Sequence, residues 1–133
     1  MPQLIRNICQ IKVEEFMAKF GQDIHHTPRF NTAVAVLRRN LILEEANEYA
    51  LASNSQNLVE LADSIGDLLY VVYGAASANG INAQPIFDEV HRSNMTKVWE
   101  DGTVHRREDG KVIKPPTYSP ADIAGVLKYL KGN

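Results

Sequence analysis

The sequence predicts an all-α fold: a four-helix-type bundle with a turn-rich C-terminal arm and a short final helix. Apolar residues recur at three- and four-residue spacings over most of residues 3–97, the helical period. The segment LLYVVYGAASA (68–78) is apolar on nearly all sides, as in a helix surrounded by others. Turn-forming pairs gather only after residue 99, in WEDGTVHRREDGKVIKPPTYS.

The spacing predicts a first amphipathic helix over 3–20, with Leu4, Ile5, Ile8, Ile11 and Phe16 on its apolar side and Gly21 as its stop. GQDIHHTPRF is a connector in which Thr27 can cap and Pro28 can occupy a first helical turn, so the second helix is expected over 28–52. The polar break at Ser53–Asn57 is short, which brings a third helix, about 57–79, back antiparallel beside the second. Asn79-Gly80 ends it, and a fourth helix is expected over 83–97. In the arm, the two Asp-Gly pairs are turn signals, and the TVHR and KVIK runs form a small hairpin or stay irregular. Ser119-Pro120-Ala121-Asp122 resembles a capping box opening a last helix that reaches about Lys131.

At 133 residues the chain fits one domain, 1–133, with a hydrophobic core. A net charge of −2 with 23% charged residues gives no field that selects nucleic acid or an anionic membrane. The lone Cys9 cannot form an intramolecular disulfide and reads as a core thiol in a reducing, cytoplasmic setting. Arg6, Lys12, Glu14 and Glu15 interrupt the first residues, so no signal peptide or membrane span is read there.

Two carboxylate clusters carry the chemistry. Glu44, Glu45 and Glu48 lie on the second helix, with Glu44 and Glu48 in a narrow arc and Glu45 on its flank. Glu60, Asp63 and Asp67 fall within a stripe of about 60° on the third. Their stripe continues through Gly74 and Ala78, whose small side chains let a helix or ligand approach. A Glu-Glu-x-x-Glu run alone reads as a solvated helix face; the second cluster, on a helix with little other polar surface, points instead to a divalent cation. Like charges crowded on facing helices repel, and a hard cation with oxygen ligands compensates them. No Cys/His pair has zinc spacing, and Asp88-x-x-His91, occurring once, does not supply the paired Glu-x-x-His of a di-iron bundle. That leaves Mg²⁺ or Mn²⁺, which commonly retain positions for water and substrate phosphates.

The basic counterpart is EVHRSNMTK, with Arg92, Asn94 and Lys97 as candidate substrate-binding residues. Arg106, Arg107, Lys111 and Lys114 read as a solvated loop, His25 and His26 as exposed connector residues, and Trp99 as packing the arm onto the bundle rather than stacking on a base. No Gly-x-x-x-x-Gly-Lys loop is present.

With these motifs the chain resembles the all-α nucleoside triphosphate pyrophosphohydrolases, the MazG-like, dimeric dUTPase and phosphoribosyl-ATP pyrophosphohydrolase-like superfamily. Glu44-Glu45-Ala46-Asn47-Glu48 is similar to its first motif, and DLLYVVYG (67–74), FDEVHRSNMTK (87–97), DGKVIKPP (109–116) and YSPADI (118–123) resemble one MazG-like branch. The resemblance implies cleavage of the α–β bond of a (deoxy)nucleoside triphosphate to monophosphate and pyrophosphate with Mg²⁺ or Mn²⁺, as nucleotide-pool house-cleaning. It implies Glu44, Glu45 and Glu48 as catalytic acids, a metal set drawn from Glu45, Glu48, Glu60, Asp63 and Asp67, and a homodimer or dimer of dimers. The superfamily's second motif is Glu-x-x-Asp. Aligned on Asp67, its Glu falls on Ser64, while Glu60-Leu61-Ala62-Asp63 has the letters one turn early. Asp63 then replaces the Glu, or the metal shifts toward Glu60, or metal binding is weaker. The alternatives are a phosphoribosyl-ATP pyrophosphohydrolase-like enzyme, which the long tail fits less well, and a non-catalytic nucleotide-binding helical dimer.

Overall fold

The computed structural model describes residues 4–132, and the chain divides after residue 83 into two compact units. It is predominantly helical, with one two-stranded sheet among the described residues. No described helix is long and apolar enough to cross a membrane.

In the first unit, α1 spans Ile8–Lys19. It starts later than the 3–20 pattern suggests because Asn7 caps it, its side chain accepting from the Cys9 amide at 2.7 Å. Gln3, the first residue of the expected helix, lies outside the described residues. The buried face is Gln10, Val13 and Met17, whereas Leu4, Ile5, Ile8, Ile11 and Phe16 are exposed, and so is Cys9. The expected apolar side is therefore not the one turned inward. Gly21 ends the helix as expected, in the left-handed region at φ 67°.

The second helix also begins late. Thr32–Val34 form a 3₁₀ turn and α2 spans Ala35–Asn54. Residues 25–31 stay outside the helix because they satisfy the end of α3 (Leu58–Ala78). The amides of His25 and Arg29 donate to the carbonyls of Ser77 and Asn79, and Asn31 bonds Ala78 O and Asn79 Oδ1. Helix over these residues would forfeit those bonds. A Cβ at Gly80, which has φ 67°, would collide with the Thr27 carbonyl, so the approach of the two segments requires glycine there.

Between α2 and α3, Gln56 takes the left-handed conformation at φ 54° while the Asn57 amide returns to Ala52 O. Asn57 then caps α3 through the Glu60 amide. The tight turn lays α3 antiparallel along α2. Val13, Met17 and Ala78 form the core, flanked by Ile24, Val34 and Tyr73. The large side chains of α3 are less covered than its composition predicts: Ile65, Leu69, Tyr70 and Val72 are exposed, and its buried residues are Ser64, Gly74, Ser77 and Ala78. Within this unit the helices that cover α3 most extensively are α2 and α1, along the face lined by small residues.

In the second unit, α4 spans Ala83–Met95. The strands β1 (His105–Arg106) and β2 (Val112–Ile113) pair antiparallel, and α5 covers Ile123–Leu130. α5 is capped by Asp122 through the Gly125 amide, three residues beyond the expected cap. Ser119 is engaged elsewhere: its amide donates to Thr96 Oγ1 and its hydroxyl accepts from Arg92. Trp99 packs within the arm, with Nε1 on Ile113 O and its ring 4.3 Å from that of His105.

Candidate metal and substrate site

Two separate regions of buried polarity lie against α3 in the first unit. The first is closed. Glu14 receives both guanidinium nitrogens of Arg6 at 2.8 Å and the Ser77 hydroxyl at 2.6 Å. Gln10 donates to Ser77 Oγ and Ile81 O and accepts from the Ala83 amide. Burial pushes the Glu14 carboxyl up, but the Arg6 and Ser77 hydrogen bonds outweigh it and hold it below its ordinary pKa.

The second is open. Glu45 and Glu48, one turn apart on α2, meet Asp67 of α3, with one carboxylate oxygen of each within 4.8 Å of the others. The antiparallel α2–α3 turn creates this meeting. Glu45 and Asp67 are half-buried and Glu48 is exposed. Glu45 Oε2 is buried without a hydrogen-bond partner. Burial raises the Glu45 pKa, and the charge of Glu48, a hydrogen bond with it, and the charges of Asp67 and Glu44 raise it further. A divalent cation fits this donor set: oxygen ligands only, crowded, with one orphaned lone-pair site.

The other acids stand outside this group. Glu60, Asp63 and Ser64 line a separate groove of about 330 Å³ that Glu48 also borders. Ser64 is 4% exposed, whereas Glu60 and Asp63 are exposed. Glu60 occupies the first turn of α3, where a carboxylate is favoured by the helix dipole without any ligand. Glu44 is exposed beside Glu45.

A cavity of about 360 Å³ is lined by Glu45 and Asp67 of the triad and by apolar side chains that include Phe16, Leu41 and Tyr70. Phe16 and Tyr70 meet edge to face, their centroids 5.7 Å apart. Its lining also includes Gln22 and Arg38. Arg38 is 8% exposed and has no carboxylate partner among the described residues. Its Nη2 donates to Gln22 Oε1 at 3.1 Å, its Nε has no partner, and burial lowers its pKa. Sequence reading did not single out Arg38. Its signal was its place two turns before Glu45, which puts both on one side of α2.

The basic candidates belong to the second unit and are described there alone. Arg92 is held by Glu89, at 2.7 Å, and by Ser119 Oγ and Pro120 O. The Arg92 hydrogen bonds, then the Asp122 amide, hold the Glu89 carboxyl down at about 2. Asn94 is exposed; Lys97 is half-buried and has no ion pair among the described residues. Of the other arm cations, Arg107 pairs with Asp109 and Lys114 lies 4.6 Å over the Tyr118 ring.

The profile of the phosphoribosyl-ATP pyrophosphohydrolase family matches residues 13–94, a stretch that contains the whole acidic triad and the cavity lining. An uncharacterised protein of Acanthamoeba polyphaga mimivirus is 48% identical over 75 residues, covering 53% of this chain. The match spans 30% of that relative's length.

Proposed function

The chain belongs to the phosphoribosyl-ATP pyrophosphohydrolase family, within the MazG-like all-α superfamily, and from that premise we propose that it hydrolyses the α–β phosphoanhydride of a (deoxy)nucleoside triphosphate. Water adds at the α-phosphorus, the bond to the bridging oxygen breaks, and monophosphate and pyrophosphate leave with release of a proton. The observation that carries this reading is the Glu45–Glu48–Asp67 triad with its orphaned, charge-crowded Glu45. These three residues would hold Mg²⁺ or Mn²⁺, which supplies charge neutralisation for the phosphate oxygens. Glu44, Glu45 and Glu48 are the proposed catalytic acids, one of which would take the proton of the attacking water. Arg92, Asn94 and Lys97 are the proposed phosphate contacts. Because Arg92 is engaged by Glu89, Lys97 is the stronger of the cations.

Asp63 and Glu60 are the proposed outer carboxylates. Asp63 is one turn from Asp67, whereas Glu60 has its own place in the first turn of α3. Asp63→Ala is therefore expected to raise the Mg²⁺ concentration needed for half-activity more than Glu60→Ala does. The reverse order in a metal titration would move the site toward the α2–α3 turn.

A homodimer or dimer of dimers is part of the same proposal. Leu58, Ile65, Leu69 and Val72 recur along α3 at heptad-like spacing and are exposed, as are Val36, Leu43 and Leu51 of α2. A symmetric partner is the commonest cover for such a seam. Light scattering should return about twice the 14.9 kDa of one chain or a multiple of that, and a monomer at micromolar concentration would refute it.

The function itself is tested by ³¹P NMR of a nucleotide panel incubated with protein and Mg²⁺ or Mn²⁺. Monophosphate plus pyrophosphate is expected. Diphosphate plus orthophosphate, or no turnover of any substrate, would contradict it. Turnover of phosphoribosyl-ATP alone would select the second reading, which the family's own description favours.

A further inference from the structure

We infer that Arg38, steadied by Gln22, reads the nucleobase of the substrate in the cavity beside the acidic triad, and selects a base with paired hydrogen-bond acceptors, of which guanine is the geometric match. This rests on the nucleotide reading above and extends it to base specificity. The cavity has the two characters a nucleotide needs: oxygen ligands from Glu45 and Asp67, and a largely apolar slot. Tyr70, 41% exposed and edge to face with Phe16, offers ring surface to a flat heterocycle, and Phe16, itself stacked on Phe20, adds an apolar wall. Apart from Arg38, Gln22 and the two acids, that slot is lined by apolar side chains, which suits a base better than a second phosphate.

The polar side chains left over set the edge chemistry. A guanidinium is donor-only, and Gln22 Oε1 already accepts from Arg38 Nη2, which leaves Gln22 its NH₂ and one lone pair. Arg38 and Gln22 together therefore present more donors than acceptors. Guanine offers O6 and N7 as adjacent acceptors, the commonest partner of a bidentate Arg, whereas adenine sets its N6 amino donor beside N7. The fold also makes room for the guanidinium. A Cβ at Gly74 would come within 2.5 Å of Arg38 Nη1, so any larger residue there displaces it. Arg38 is buried with Nε unpaired and no carboxylate to offset its charge among the described residues, an arrangement that serves packing poorly and a ligand well.

The test compares hydrolysis of GTP and ATP, and calorimetric binding of GMP and AMP without metal, in the wild type, Arg38→Met and Gly74→Ala. Wild type should favour guanine about tenfold, within the range of one bidentate pair. Arg38→Met should bring the ratio near one while melting no lower than wild type, since it removes an uncompensated buried charge. Gly74→Ala keeps the cation, improves helix propensity and should blunt the preference by displacing the guanidinium, so it serves if Arg38→Met does not fold. Turnover with adenine equal to or better than guanine in the wild type, or an unchanged ratio in a folded variant, overturns the inference and leaves the hydrolase reading standing. Failure to bind or turn over any nucleotide overturns both.

Discussion

Two polar regions, both packed against α3 in the first unit, differ in one respect: one is complete and the other is not. Around Glu14, the Arg6 fork, Ser77, Gln10, Ile81 O and the Ala83 amide pair with one another. Around Glu45 and Arg38, a carboxylate oxygen and a guanidinium nitrogen are buried with nothing to bond. Burying either kind of group without a partner costs free energy, and in the proposed function a ligand offsets that cost in the second region. On the function proposed above, the closed region is architecture and the open one is the site.

That contrast breaks most readily at the acids. Glu48→Gln and Asp67→Asn should each lower turnover about 100-fold or more, exceeding the usual loss for a residue that merely supports a metal ligand. Neither should lower the melting temperature in metal-free buffer, because each removes one of several like charges. Wild-type turnover at saturating Mg²⁺ in both variants would return these acids to the status of a solvated helix face.

The closed region should respond in the opposite sense. Ser77→Ala removes the hydroxyl that links Gln10 to Glu14, and should cost about 1–2 kcal/mol of stability, seen as a melting temperature lower by several degrees. Because Ser77 lies outside the cavity lining, turnover at a temperature where the variant is folded should be little changed. A large fall in turnover with no thermal shift would reverse the roles assigned to the two regions.

A smaller effect is expected in the second unit, whose Glu89–Arg92 contact is closed but exposed. The Glu89 carboxyl is depressed from 4.5 to about 2, so its contribution is present above about pH 4.5 and is lost as pH falls toward 2. NMR titration of Glu89 should show that depressed value in the wild type, and Arg92→Met should return it toward the ordinary range. An unshifted Glu89 in the wild type would remove the reason for ranking Lys97 above Arg92 as a phosphate contact.

The pairing of α2 with α3 was legible in the sequence, because a short polar break between two helical periods leaves few alternatives and the acid spacing then sets which residues meet. The start of α2 was not: Thr27 and Pro28 make a good local cap, but Arg29 and Asn31 bond the end of α3, a tertiary gain that local signals do not carry. The inward face of α1 was hidden for a related reason. Gln10 is fully buried and is a polar residue, so an apolar count placed the wrong side inward. Arg38 escaped notice because a basic residue on a helix reads as solvated, and only its surroundings show that it is buried and unpaired.

The proposed binding of a divalent cation by Glu45, Glu48 and Asp67 is tested by thermal denaturation against Mg²⁺ concentration in the wild type and Glu48→Gln. An ion bound to the native state stabilises it by about 2.7 kcal/mol at 100 times its dissociation constant, a shift of several degrees. Wild type should climb with Mg²⁺ from a starting point no higher than that of Glu48→Gln, and Glu48→Gln should stay nearly flat. A wild type that does not respond to Mg²⁺, or a variant that climbs in parallel with it, would contradict the assignment of Glu45, Glu48 and Asp67 as a metal site.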